Sequence, residues 1–151
     1  MSLGLAFHIL AAVIWVGGMF FAHQVLRPAA GPLDSPIRLA LWERVLSRFF
    51  IWVWVSIAVL LVSGFAMVMI GFGGFAALRH YINLMMALGI VMMMIFAHIY
   101  FAPWKRFRRA VIATDWIAAE RNIKQIRILV MVNLLLGLIT VVVGASGRYF
   151  G

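Results

Sequence analysis

The chain has 151 residues, of which 66% are hydrophobic and only 11% charged, and it carries a net charge of +9. A soluble domain usually has about 25% charged and 45–50% apolar residues, so too little polar surface remains to cover a globule in water, and the apolar residues suffice for about four membrane spans of roughly 20 residues each. The absence of cysteine excludes disulfides, thiolate ligation of metals and a cysteine nucleophile.

Length indicates a single domain, 1–151, and unbroken apolar runs predict its spans in chain order. The first, at 3–25, is too long for a cleaved signal and lacks a basic leading segment, so it is expected to remain as a mature span. Arg27-Pro28-Ala29-Ala30-Gly31-Pro32 is expected to stop that helix. Asp34-Ser35-Pro36 then reads as a cap followed by proline at the first helical position. From Ile37 one long helix runs without a breaker into the second span, 49–70, and Gly71-Phe72-Gly73-Gly74 ends it. The third span, 81–101, is expected to end at Pro103. The basic stretch that follows predicts a short helix on the membrane surface, capped by Thr114 or Asp115 and bearing Trp116, Ile117, Ile123 and Ile126. The fourth span is 128–143.

Eleven of the thirteen Lys and Arg residues fall in the two connections 26–48 and 102–127, and only Arg79 and Arg148 lie on the other side. Basic residues collect in cytoplasmic loops, so these connections are assigned to the cytoplasm and both termini to the outer side of a bacterial-type inner membrane. The same rule explains the net charge without a nucleic-acid partner. Only helices or closed barrels satisfy backbone groups in lipid, and these runs are too long and continuous for alternating strands. The expected fold is all-α, an integral membrane, up-down four-helix bundle.

Ionisable groups at membrane depth are costly and usually functional. All four histidines lie in or beside spans: His8 and His23 on the first, His80 and His98 on the third. At about 100° per residue, His80 and His98 share a face roughly 27 Å apart, and His8 and His23 lie within about 60° of each other, roughly 22 Å apart. In an up-down bundle the two helices run in the same direction, so His8 is paired by depth with His80, and His23 with His98. Two imidazoles across an apolar core suit axial ligation of haem iron. Hydrogen bonding to headgroups or a neighbouring helix, or another metal, are the alternatives.

Met85, Met86, Met92, Met93 and Met94 crowd the third span. Thioethers suit Cu(I), but these cover most of the helix circumference and read more simply as packing. Trp15 sits mid-span and packs on a macrocycle or in the core, and Gly17 and Gly18 beside it leave room for a close helix or a flat cofactor. Asn83 and Asn133 serve a ligand or tie helices together, and Thr140 ties helices. Arg44, Arg48, Lys124 and Arg127 are candidates for propionate or acidic-substrate contacts beside the simpler reading of positive-inside charge. The only acids are Asp34, Glu43, Asp115 and Glu120, all outside the spans, so no carboxylate pair suggests a hydrolase.

The stretch Phe7-His8-Ile9-Leu10-Ala11-Ala12-Val13-Ile14-Trp15-Val16-Gly17-Gly18 resembles the opening of small CopD-type membrane proteins and of the related HemJ-type protoporphyrinogen IX oxidases. The resemblance continues at His80-Tyr81-Ile82-Asn83, at Ala97-His98-Ile99-Tyr100-Phe101-Ala102-Pro103-Trp104, and from Ile126-Arg127 to Asn133-Leu134 and Leu136-Gly137. It implies a four-helix membrane protein that handles copper or, as in HemJ-type members, binds haem b and oxidises a porphyrinogen. This chain has Asn83 where those oxidases carry a Lys after the histidine, and no acid beside Asn133. The leading expectation is therefore a haem b redox protein with one or two haems, held by His8 with His80 and by His23 with His98, and exchanging electrons with a quinone or porphyrin-like molecule. Copper transport or binding is the alternative. A structural subunit, pairing with itself or with a larger membrane protein, is the third.

Overall fold

A computed structural model describes residues 2–71, 73–75 and 79–149, with side chains for all of these but Ser2 and Arg148. Phe72, within the expected glycine break, and the Arg148 side chain, used in the charge count, lie outside the described residues. The fold is all-helical, with α1 Ser2–Phe20, α2 Arg27–Ala30, α3 Ser35–Ala66, α4 His80–Ile99, α5 Lys105–Ile112 and α6 Trp116–Ser146. Four stretches, Leu3–Ala30, Ser35–Gly71, His80–Ile112 and Trp116–Ser146, are long and apolar enough to cross a membrane. Their exposed faces are lined by Leu, Ile, Val and Phe, as a lipid-facing surface requires.

The first expected break falls late in its stretch: the helix passes through a π-helical turn, Phe21–Leu26, and through Pro28 in α2, and it stops after Ala30, where Gly31 and Pro32 form a turn. A second π-helical turn, Tyr100–Trp104, contains Pro103 and leads directly into α5. Proline lacks the N–H of a normal turn and its ring crowds the carbonyl four residues back; a widened turn accommodates both. The predicted surface helix is the first third of α6, which runs unbroken for 31 residues. Ala119, Ile123 and Ile126 are buried on the same stripe as Asn133, Leu134 and Gly137, so packing on the bundle carries the helix outward beyond the span predicted at 128–143.

The caps agree in part. Asp115 accepts from the Ala118 N–H at 3.0 Å and starts α6, with Thr114 at φ 55 making the bend before it. Asp34 precedes α3 without a side-chain cap bond. Ser35 instead reaches across to Glu120 on α6 at 2.8 Å. At the other end of α3, Gly73 and Gly74 adopt φ of +74 and +112, which side chains rarely tolerate, and the Gly74 N–H returns to the Val68 carbonyl.

α1 packs chiefly along α3, and α4 along α6, while α5 folds back on the start of α6. Gly18 permits the first contact: a Cβ there would lie 2.2 Å from the Phe49 ring. Gly137 does the same for α6, since its Cβ would meet Val16 at 2.9 Å and Met92 at 3.1 Å. The core is aromatic, with Phe50 edge-to-face on Phe96 (5.3 Å) and Trp104 (5.1 Å), and Trp54 on Phe96 (5.2 Å).

Candidate site in the helical bundle

His8 lies two turns inside α1, half-buried, where α1 crosses the C-terminal part of α3. Its Nδ1 is 2.9 Å from Ser63 Oγ. The Ser63 hydroxyl donates its own proton to the Val59 carbonyl at 2.6 Å, as serines in apolar helices do. The hydroxyl oxygen is then the acceptor, so Nδ1 carries the imidazole proton and Nε2 keeps a lone pair with no hydrogen-bond partner among the described residues. Gly64 makes room for the ring: a Cβ at that position would sit 3.4 Å from His8 Cε1. One turn back along α1, a Cβ on Gly4 would lie 3.8 Å from Met67 Cγ, which places the Met67 thioether arm beside the turn that precedes His8.

The other histidines are placed differently. His80 is exposed at the start of α4, and His98 is exposed near its end. His23 is partly exposed, and Arg27 donates through Nη1 to its Nε2 at 3.3 Å, using the lone pair that a metal would need. Among the described residues, no hydrogen bond joins His8 to His80 or His23 to His98, and no three His, Cys, Asp or Glu side chains gather to hold an ion. Between α1 and α4, Trp15 is buried and meets Phe96 edge-to-face at 6.2 Å. Gly18 receives Phe49, while Gly17 faces open space.

Met92 is buried and takes a long contact from Thr140 at 3.9 Å, and a Cβ on Gly144 would lie 3.1 Å from Met85 Sδ, so both pack towards α6. Met94 is 59% exposed, on the outside of the bundle. The five methionines of this helix thus point different ways and form no continuous file.

Of the polar contacts expected for an acidic group, Arg44 and Arg48 are exposed, as is Asn83. Arg127 is half-buried with its guanidinium 5.6 Å from the Trp42 ring centre. Asn133 is almost fully buried, and its Oδ1 has no hydrogen-bond partner among the described residues. Lys124 lines a surface groove of about 620 Å³ with Ser35, Trp116, Ile117, Glu120 and Arg121, at the end of the bundle away from Ser63 and His8.

Ser63, Gly64, Met67 and Trp42 are not expected from the sequence. The signal for the first two is a small polar Ser-Gly pair inside an otherwise apolar span, the place where another helix approaches closely.

No curated protein matches the chain, and no solved structure does. A family model described as copper resistance protein D matches residues 43–146, which takes in Ser63, Gly64 and Met67 and begins after α1 and His8. Over two-thirds of its length, therefore, this four-span helical chain belongs to the CopD, copper resistance protein D, family.

Proposed function

We propose that the chain binds or passes copper, as Cu(I), at a membrane, with His8 as the nitrogen donor. The observation that carries this reading is the His8–Ser63 hydrogen bond, which leaves Nε2 of a half-buried imidazole with a lone pair unused among the described residues. Imidazole and thioether are ligands that cuprous ion accepts, and the Met67 arm beside Gly4, one turn before His8 on α1, would supply the second type. Neither donor demands a charge in the bilayer. The family supports the metal, and copper is here the cargo rather than a resident cofactor. The test is Cu(I) binding by the purified protein: His8→Ala should lose at least tenfold in affinity and Met67→Leu a smaller factor. Unchanged affinity in His8→Ala would remove the site.

The orientation proposed with it puts both termini on the outer side of a bacterial-type inner membrane, supported by eleven basic residues at one end of the bundle. His8 and Ser63 then lie towards the outer surface.

Haem b is the second reading, with a HemJ-like oxidoreductase activity on a quinone or porphyrin-like molecule. The Nε2 lone pair of His8 favours it: His8 and His80 would hold the iron, Trp15 and Asn83 would line the macrocycle, and Arg44, Arg48, Arg127 and Asn133 would meet its propionates. His23 with His98 would form the further haem site. The present packing fits copper better, because Arg27 occupies His23 Nε2 and Trp15 meets Phe96 between the two helices. A Soret band in protein expressed with ample haem, lost in His8→Ala, would favour haem; a colourless preparation would remove it.

A further inference from the structure

The first turns of α6 carry two stripes. Ala119, Ile123 and Ile126 are buried against the bundle. Ile117, Glu120, Arg121 and Lys124, at the i, i+3, i+4 and i+7 positions of another helix face, line the groove that α6 forms with Ser35 and Trp116. Ile117 is 79% exposed, and Ile112, just before the bend that leads into α6, is exposed as well.

Lipid does not reach these side chains. A Cβ on Gly137 of α6 would meet Val16 of α1 and Met92 of α4, so the three lie at one level, and each is near the middle of its expected span. That level marks the midplane of the bilayer. At about 1.5 Å per residue, Trp116 and Ile117 stand roughly 30 Å from it along the unbroken helix. The hydrocarbon ends at about 15 Å from the midplane and the headgroup layer at about 20–22 Å. The groove therefore opens into water, where its apolar side chains have no acyl chain to cover them.

Charge indicates what does. The end of the bundle that bears the groove holds eleven of the thirteen basic residues and all four acids. Three of those acids are in use: Glu120 accepts from Ser35 and Arg38, Glu43 pairs with Arg108, and Asp115 caps α6. Asp34 is left, exposed on the α3 side of the groove next to Ser35. On the α6 side, Arg121 and Lys124 are exposed and have no acid partner among the described residues. Glu120 between them is already neutralised by Arg38.

We infer that this groove docks an acidic, amphipathic helix of another protein, whose apolar face lies on Trp116 and Ile117 and whose carboxylates meet Arg121 and Lys124. The exposed face of α6 from Ile117 to Lys124 runs roughly 10 Å, the length of two turns of a docked helix. Tryptophan and arginine are the side chains that most often carry such an interface, and the basic rim favours an acidic partner over a basic one. The site stands at the opposite end of the bundle from His8 and uses none of the copper ligands.

The experiment titrates the full-length protein, in phosphatidylcholine nanodiscs, with two fluorescent helical peptides that share leucines at i, i+3, i+4 and i+7. One carries glutamates at the flanking positions and the other lysines. Read by anisotropy, with binding to empty nanodiscs subtracted, the glutamate peptide should bind at least tenfold more tightly. Ile117→Ser and Arg121→Glu should each weaken it at least fivefold, whereas Arg109→Glu, the same charge reversal on α5, should change it less than twofold. The site is overturned if neither peptide binds, if Ile117→Ser binds like the wild type, or if Arg109→Glu weakens binding as much as Arg121→Glu. Two other occupants are tested with Ile117→Cys, a unique label in a chain without cysteine. A bimane on it should keep the emission of a dye in water when phosphatidylglycerol replaces phosphatidylcholine; a blue shift would assign the groove to acidic lipid. Cross-linking of Ile117→Cys to itself by a bis-maleimide should not exceed that of Ala113→Cys; a clear excess would assign the groove to a second copy of the chain. Either result overturns the acidic helix as its occupant.

Discussion

His8 on α1 donates through Nδ1 to Ser63 Oγ on α3, and Ser63 passes its own proton to a backbone carbonyl of α3. The chain of donors runs in one direction and ends with a lone pair on Nε2. A hydrogen bond to the ring nitrogen that does not bind the metal sets the tautomer and the ring orientation of a metal-binding histidine, and its loss typically weakens a site by about 10–100-fold. Ser63→Ala should therefore lower Cu(I) affinity by about tenfold or more while costing only about 1 kcal/mol in stability. Competition with a cuprous chelator, alongside thermal melting in the same detergent, separates the two effects. Equal affinities for Ser63→Ala and the wild type would show that the bond is purely structural.

The contact between α1 and α3 depends on Gly18. A single methyl group there would overlap the Phe49 ring, which also lies 6.2 Å from the Phe50 ring. Overpacking of this kind costs typically 1–3 kcal/mol. Gly18→Ala should lower the Tm accordingly. Gly17→Ala, one residue earlier and facing open space, should leave it unchanged or raise it slightly, since alanine is the better helix former. A Gly18→Ala protein as stable as the wild type would mean that α1 and α3 do not approach this closely.

Glu120 ties α6 to the start of α3 outside the apolar span. Burial alone raises its carboxyl pKa, but hydrogen bonds from Ser35 and Arg38, with the charges of Arg38 and Arg127, outweigh that and hold it below the usual carboxylate value. A carboxyl depressed in the folded state stabilises the fold above its unfolded pKa, and the contribution fades as pH falls through the folded value. The Tm of the wild type should exceed that of Glu120→Gln near neutrality, and the gap should close only as pH falls below the usual carboxylate range. A gap that persisted or widened in acid would assign the effect to packing. The pair is partly solvated, so added salt should narrow the gap as well.

The spans are legible in the sequence because apolar runs in a chain with 11% charge have no other stable placement. Where helices end is less legible, because local breaker rules assume a standard α-turn. Pro28 and Pro103 both lie in stretches that pass through π-helical turns, and nothing near them in the sequence distinguishes a widened turn from a stop. The length of α6 depends on long-range packing of Ala119, Ile123 and Ile126, which a local reading places on the membrane surface. Histidine spacing shows that His8 and His23 share a broad face, but not which helix that face meets. The partner of His8 is settled by Gly18 and Gly64, the small residues that let α1 lie against α3, so the imidazole finds Ser63. Trp42 and Arg127 are 85 positions apart in sequence, and only the return of α6 beside the start of α3 makes them neighbours.

The proposed orientation can be tested without removing any native thiol, since the chain has no cysteine and every introduced one is a unique label. Ala113, in the bend between α5 and α6, follows the run of basic residues on α5, and Phe75, between α3 and α4, lies at the other end of the bundle; both are exposed. The positive-inside distribution places Ala113 in the cytoplasm and Phe75 outside. In intact cells a membrane-impermeant maleimide should label Phe75→Cys and reach Ala113→Cys only after lysis. The reverse pattern would invert the chain in the membrane, moving His8 and Ser63 towards the cytoplasmic surface and the groove beside Trp116 and Ile117 to the outside. The direction of any copper passage through His8 follows from the same result, because the imidazole lies two turns from one end of α1 and is separated from the other surface by the aromatic layer of Trp15, Phe50 and Phe96.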